Sequence, residues 1–328
     1  MRTAEETRLA ADQAEVIRLP VRRVTSMTLE QLLVADLPEP SFVIPGLIQK
    51  GLTILAGRPK LGKSWLMLDW ALAATTSRMA LGCHESAKGD VLLLALEDNF
   101  TRLKSRLRML KAKPSSQLEI HTEWPKGQEA IDAISRWHDK HRHTGLMVGV
   151  DTVTRIRPQG ISNRDAYAAD ANALEPLQQL AIERDLAVVL VGHTRKAQSD
   201  DWLDTVIGTT GTTGTADAIL VLKRERGQAD AILYGTGRDF GEFERPLRFD
   251  EKTGLWTALE MSAAEARAGD AQAAIIDLLR KVGCGMTVKQ LASGTSRSEQ
   301  AVANALDRME GNGMVRKFGH NLWDLTKW

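Results

Sequence analysis

The octapeptide Gly57-Arg-Pro-Lys-Leu-Gly-Lys63-Ser64 constrains this chain more than any other feature in it. It has the G-x-x-x-x-G-K-[ST] spacing and sits between the apolar run LTILA (52–56) and the helical sequence KSWLMLDWALAA (63–74). Phosphate chemistry needs that order. Glycines let backbone N–H groups close on phosphate oxygens, and the helix N-terminus adds a favourable dipole. A lysine reaches the β- and γ-phosphates, and a hydroxyl holds Mg²⁺. The motif predicts a strand–loop–helix site in which Gly57, Arg58, Pro59, Lys60, Leu61, Gly62, Lys63, Ser64 and Trp65 bind ATP, with Mg²⁺ on Ser64.

Around this loop, from Gly51 to about Leu259, short apolar runs alternate with amphipathic stretches. The runs are LTILAG (52–57), VLLLALE (91–97), LEIHTE (118–123), LMVGVD (146–151) and LAVVLVGH (186–193). Between them, Phe100, Leu103, Leu107 and Leu110 recur at helical spacing, as do Ala130, Ile131, Ile134 and Trp137, then Leu174, Leu177, Leu180 and Ala181. Continuously apolar strands alternating with helices predict an α/β fold, a mostly parallel sheet flanked by helices on both faces. After His193 the texture changes, and ADAILVLKRERGQADAILYGTGRDF reads as two antiparallel strands. Upstream, residues 1–40 read as an arm of mixed charge and a helix-like MTLEQLLVADL, broken by the prolines of PEPSFVIPG. Downstream of a small-residue stretch, residues 261–328 hold three helix signals and a β-ribbon turning at Gly319-His-Asn321. That is the plan of a small winged-helix domain. The expected domains are an arm and linker helix (1–40), an ATPase core (41–260) and the winged helix (261–328).

Two carboxylates complete the expected chemistry. Asp151 ends the strand LMVGVD, where a Walker B acid would hold the Mg²⁺ shell. Glu97 ends VLLLAL and is placed to deprotonate an attacking water, whereas a helix-capping role before NFTRLKSRL suits Asp98 better. His193 closes AVVLVG within reach of a γ-phosphate, and a hydrogen-bonded strand-end imidazole fits the same position. Gly149, inside an apolar strand, marks a close backbone approach. Arg102, Lys104, Arg106, Arg108, Lys111 and Lys113 read as a solvated helix face.

The segments GLTILAGRPKLGKS, VLLLALEDN, LMVGVDTVTR and VVLVGHTRK, in this order, resemble the RecA-like ATPases. Over residues 42–250 they are most similar to the plasmid RepA-type hexameric helicases, and the G-R-P-x-x-G-K loop also resembles that of DnaB-type replicative helicases. The resemblance implies a RecA-like P-loop core in which Lys63 and Ser64 bind phosphate and Mg²⁺. It makes Glu97 the catalytic base, Asp151 the Walker B acid and His193 a γ-phosphate sensor coupled to DNA. It also implies a homo-oligomer, a hexameric ring whose sites are completed by a basic finger from a neighbour. Arg238, in YGTGRDFG, stands where the finger is expected, with Arg224 and Arg226 as rivals. The chain departs from the RepA-type pattern where an arginine on the preceding strand gives way to the apolar residues of ADAILVL.

Two loops are candidates for gripping single-stranded DNA through phosphate contacts that carry no sequence information. One follows Asp151 and holds Arg155, Arg157 and Arg164; the other follows His193 and holds Arg195, Lys196 and a Gly/Thr-rich tract. The net charge of +1 excludes a polybasic coat, so any nucleic-acid contact must be local. In the winged helix, Arg297, Arg308, Arg316, Lys317 and His320 suit phosphate, but Glu299, Asp307 and Glu310 offset them, so DNA and a protein loader, initiator or primase are equal candidates there. Two distant cysteines, Cys83 and Cys284, argue against a disulfide scaffold. With no apolar run near membrane-spanning length, the chain reads as cytoplasmic and without membrane partners. The expected function is an ATP-hydrolysing motor on single-stranded DNA, a replicative helicase. The competing reading is a RecA-like regulatory or recombination-mediator ATPase that switches on nucleotide binding without unwinding.

Overall fold

The structure, a computed structural model, describes residues 26–37, 39–76, 78–157, 166–194, 202–203, 214–224, 230–260, 270–318 and 321–326. The chain divides into two compact units, residues 1–41 and 42–328. In the first, α1 (Leu29–Val34) opens with a capping box in which Thr28 and Gln31 satisfy each other's backbone N–H groups.

The second unit is organised on a nine-stranded sheet in the order β11-β10-β9-β8-β3-β7-β6-β4-β5. Its strands are β3 (Gly51–Gly57), β4 (Asp90–Ala95), β5 (Leu118–His121), β6 (Gly145–Asp151), β7 (Ala187–Val191), β8 (Ala218–Lys223), β9 (Asp230–Gly237), β10 (Phe243–Asp250) and β11 (Leu255–Ala258). The six from β8 to β5 run parallel, and β9, β10 and β11 extend the sheet antiparallel. All five apolar runs therefore become parallel strands. The helices α2 (Lys63–Thr75), α3 (Phe100–Met109), α4 (Gln128–Lys140) and α5 (Ala166–Arg184) supply the crossovers. Strand side chains alternate between faces: Leu55 packs with α2 and α3, while Leu52, Ile54 and Ala56 pack with α4 and α5. Both faces are thus dry, which is why the strands are apolar without alternation.

Two local expectations are corrected. Phe100 is 62 % exposed, because the first turn of α3 is held by the Asn99 cap and only Leu103, Leu107 and Leu110 reach the core. The segment broken by prolines contains a short hairpin, β1 (Phe42–Ile44) and β2 (Ile48–Gln49), around Pro45 and Gly46, whose φ is +65°.

Farther along, α6 (Asp270–Val282), α7 (Val288–Thr295), α8 (Glu299–Gly311), β12 (Val315–Phe318) and β13 (Leu322–Leu325) share their own core of Ile275, Leu279, Leu291, Leu306, Met309 and Trp323. Trp323 is buried in this core. Among the described residues no helix is long and apolar enough to cross a membrane.

Candidate nucleotide site

Sheet register assembles the site. Ala95 pairs with Asp151, Asp151 with Val191, and Val191 with Leu55, so the carboxyl ends of β4, β6, β7 and β3 lie in one row. Whatever follows these strands must emerge on one rim, where α/β sheets bind ligands. The expected residues follow them: Glu97 after β4, Asp151 ending β6, His193 after β7 and the phosphate loop after β3.

The loop itself is built for anions. Arg58, Pro59 and Lys60 are exposed, Lys60 has φ +64°, and Gly62 has φ +97° as the N-cap of α2. No side chain caps α2, so its first N–H groups remain available to a ligand. Lys63 is 5 % exposed, and its ammonium donates to the carbonyls of Gly57 (2.8 Å) and Arg58 (2.9 Å). Burial pulls its pKa down to about 8, against the support of Asp151 and Glu97.

The donor set fits Mg²⁺. Ser64 hydrogen-bonds Asp151, whose carboxyl is pushed above its usual range by burial first and then by Glu97, with the Ser64 bond, Lys63 and Arg106 opposing. One hydroxyl and one outer carboxylate leave the remaining positions to water and phosphate, as Mg²⁺ prefers. Consistent with that sparse set, the described residues contain no cluster of three or more His, Cys, Asp or Glu side chains that would form an all-protein cage. Glu97, in the exposed turn after β4, is near enough to influence both Lys63 and Asp151.

His193 lies on the same rim. Its neighbours are tied to β3, Gly192 N–H donating to Leu55 and Thr194 N–H to the Gly57 carbonyl (3.3 Å). Its Nδ1 is buried and makes no hydrogen bond among the described residues, which leaves the hydrogen-bonded strand-end reading without a partner there for that atom. Arg155, exposed in a 3₁₀ turn (Val153–Arg155), and half-buried Arg157 follow Asp151 on this rim. Arg164, Arg195, Lys196 and Arg226 lie outside the described residues.

Arg238 is not brought to the site. Ala218 pairs with both Thr53 and Gly237, so Arg238 lies where β3 begins, roughly 20 Å along the strand from the phosphate loop. There its guanidinium pairs with the buried Asp217 (3.1 Å), while 58 % of its side chain stays exposed. Arg224, at the far end of β8, lies on the loop's own rim.

Sequence reasoning missed three participants. Asp98 binds both Arg102 and Arg106 rather than capping α3, a task Asn99 performs. Arg106 is consequently drawn off the solvated face, stacks over Trp65 at 5.2 Å and bears on Asp151. The spacing of Arg102 and Arg106, four and eight residues beyond Asp98, which lies just before α3, was the available signal. Trp256, from β11, donates its indole N–H to the Gly62 carbonyl (3.1 Å), and no local pattern announces a contact 194 residues away.

Comparison with known proteins agrees with this geometry. No curated protein matches the sequence. Among solved structures, the ATPase domain of G40P aligns with a TM-score of 0.54 at 14 % identity, covering 79 % of this chain and all of that one. A DnaB-like replicative helicase, described with its interactions with primase, aligns at 0.55 and 14 % identity, covering 78 % of this chain and 71 % of that one. These likenesses establish a shared fold, the RecA-like P-loop ATPase fold. A family model described as an AAA domain matches residues 20–199, more than half of the sequence and the stretch that carries the loop, Glu97, Asp151 and His193, so the chain belongs to the AAA domain family.

Proposed function

We propose that the chain is an Mg²⁺-dependent ATPase that works as a ring-forming, hexameric motor on single-stranded DNA, a replicative helicase of plasmid or phage RepA type. The observation that carries this reading is the convergence of Lys63, Ser64, Asp151, Glu97 and His193 on one rim from the ends of four adjacent strands. Lys63 leaves the loop carbonyls for the β- and γ-phosphates. Mg²⁺, held by Ser64 and through water by Asp151, would offset the phosphate charge. Glu97 takes the proton of the attacking water, and the unpaired Nδ1 of His193 offers a γ-phosphate contact at the root of a DNA-gripping loop.

Arg155 and Arg157 sit on the same rim and would contact DNA phosphates, with Arg164, Arg195 and Lys196 as their expected companions. Arg238, too far to serve its own site, acts in a neighbour's. The elements α6 to α8 and the β12–β13 ribbon form a winged-helix domain, residues 261–328, that docks a loader, initiator or primase. Primase interaction of the DnaB-like relative is in keeping with that role.

The test is ATP hydrolysis with Mg²⁺, with and without single-stranded DNA, followed by unwinding of a forked duplex. Stimulation with unwinding is the expected result. Stimulation without unwinding would turn the reading to a mediator ATPase, and hydrolysis indifferent to DNA would remove the motor.

A further inference from the structure

The loop that holds phosphate is braced from below by the last hairpin of the sheet. Gly62 adopts φ +97°, and a Cβ there would stand 3.0 Å from Cζ2 of Trp256. Trp256 is 1 % exposed, and its indole N–H donates to the Gly62 carbonyl at 3.1 Å. The same carbonyl accepts the N–H groups of Trp65 and Leu66, both at 3.1 Å, so Trp256 holds the atom on which the first turn of α2 closes. The hairpin engages α2 a second time. Gly254, at its turn, lies so close to the Trp65 ring that a Cβ would come within 2.1 Å of it. Phe249 fills the space between, 6.0 Å from Trp65 and 5.0 Å from Trp256 by ring centroids.

We infer that Trp256 is a positioning residue for nucleotide: its N–H fixes the left-handed turn at Gly62 and so aims the N–H groups of Lys63 and Ser64 at the phosphates. The inference rests on the nucleotide reading above. Trp256 touches no phosphate and no reacting atom. Its effect should therefore appear in diphosphate affinity.

The helix supplies its own control. Trp70, in α2, is fully buried, but its indole N–H makes no hydrogen bond among the described residues. Trp256→Phe and Trp70→Phe therefore remove the same atoms from the same core, and only the first removes a bond to the loop. Calorimetric titration with MgADP should show roughly three- to tenfold weaker binding for Trp256→Phe, the range for one neutral hydrogen bond. Trp70→Phe should bind within about twofold of the parent chain, below that range. Should Trp256→Phe not fold, the benzothiophene isostere of tryptophan at 256 keeps the shape and deletes only the donor, with the same loss expected. Unchanged MgADP affinity in the Trp256 variants, or an equal loss in Trp70→Phe, would overturn the inference and leave the nucleotide reading standing. Absence of MgADP binding by the parent chain would overturn both.

Discussion

At the residue scale, Lys63 is the most informative group. Burial lowers its pKa to about 8, below the ordinary lysine value of 10.5. In the empty protein it therefore begins to lose its proton near pH 8, while the unfolded chain keeps that proton to about 10.5. Between these limits the unfolded state binds more protons, so this group makes the empty protein more stable as pH rises, not less. Phosphate needs the charged form, so binding has the opposite slope. ADP affinity measured in a chelator should fall as pH is raised from 7.5 to 9.5. Lys63→Arg, which cannot deprotonate in that range, should remove this slope even though it binds more weakly. A slope that survives in Lys63→Arg would mean another group controls binding. Asp151 is perturbed in the other direction, its carboxyl raised chiefly by burial.

At the element scale, the central strands β3, β4, β6 and β7 were legible because each is apolar on both faces and each ends in or leads into a residue with chemistry. Helices were legible where their apolar rows meet the sheet: Ala130, Ile134 and Trp137 of α4, and Leu174, Leu177, Leu180 and Ala181 of α5, are all buried. What escaped was decided by long-range contacts. Phe100 has the right spacing but stays 62 % exposed, and Trp256 reaches Gly62 only because β11 closes the sheet beside α2. Gly149 shows the middle case. Its anomaly inside an apolar strand was visible, but the cause, the approach of Met67 from α2, was not. A Cβ at Gly149 would stand 2.8 Å from Met67 Sδ and 3.1 Å from Leu93 Cδ1. Gly149→Val should therefore destabilise by about 1–3 kcal/mol in urea unfolding, the usual cost of overpacking a tight core. A neutral result would mean that α2 rides loosely on the sheet.

At the scale of the whole molecule, the nucleotide site and Arg238 occupy opposite ends of β3. If the site is completed between subunits, Arg238→Ala should abolish turnover, and mixing it with Glu97→Gln protein should restore part of it, because some interfaces would then pair an intact base with an intact finger. Absence of rescue would leave Arg238 as the partner of Asp217 and no more. Removing residues 261–328 should spare basal hydrolysis, since α6 to α8 and β12–β13 share a core of their own. Unfolding of the truncated chain would contradict the separate-domain proposal.

We propose that the residues on this rim form one hydrolytic site with Glu97 as its base. The most direct measurement is MgATP binding and MgATP hydrolysis on the same preparation of Glu97→Gln, beside the parent chain. Near-parental binding is expected, with hydrolysis reduced at least about a hundredfold, the lower range for losing a general base. Retained hydrolysis, or hydrolysis and binding lost together, would contradict it and return Glu97 to a structural role.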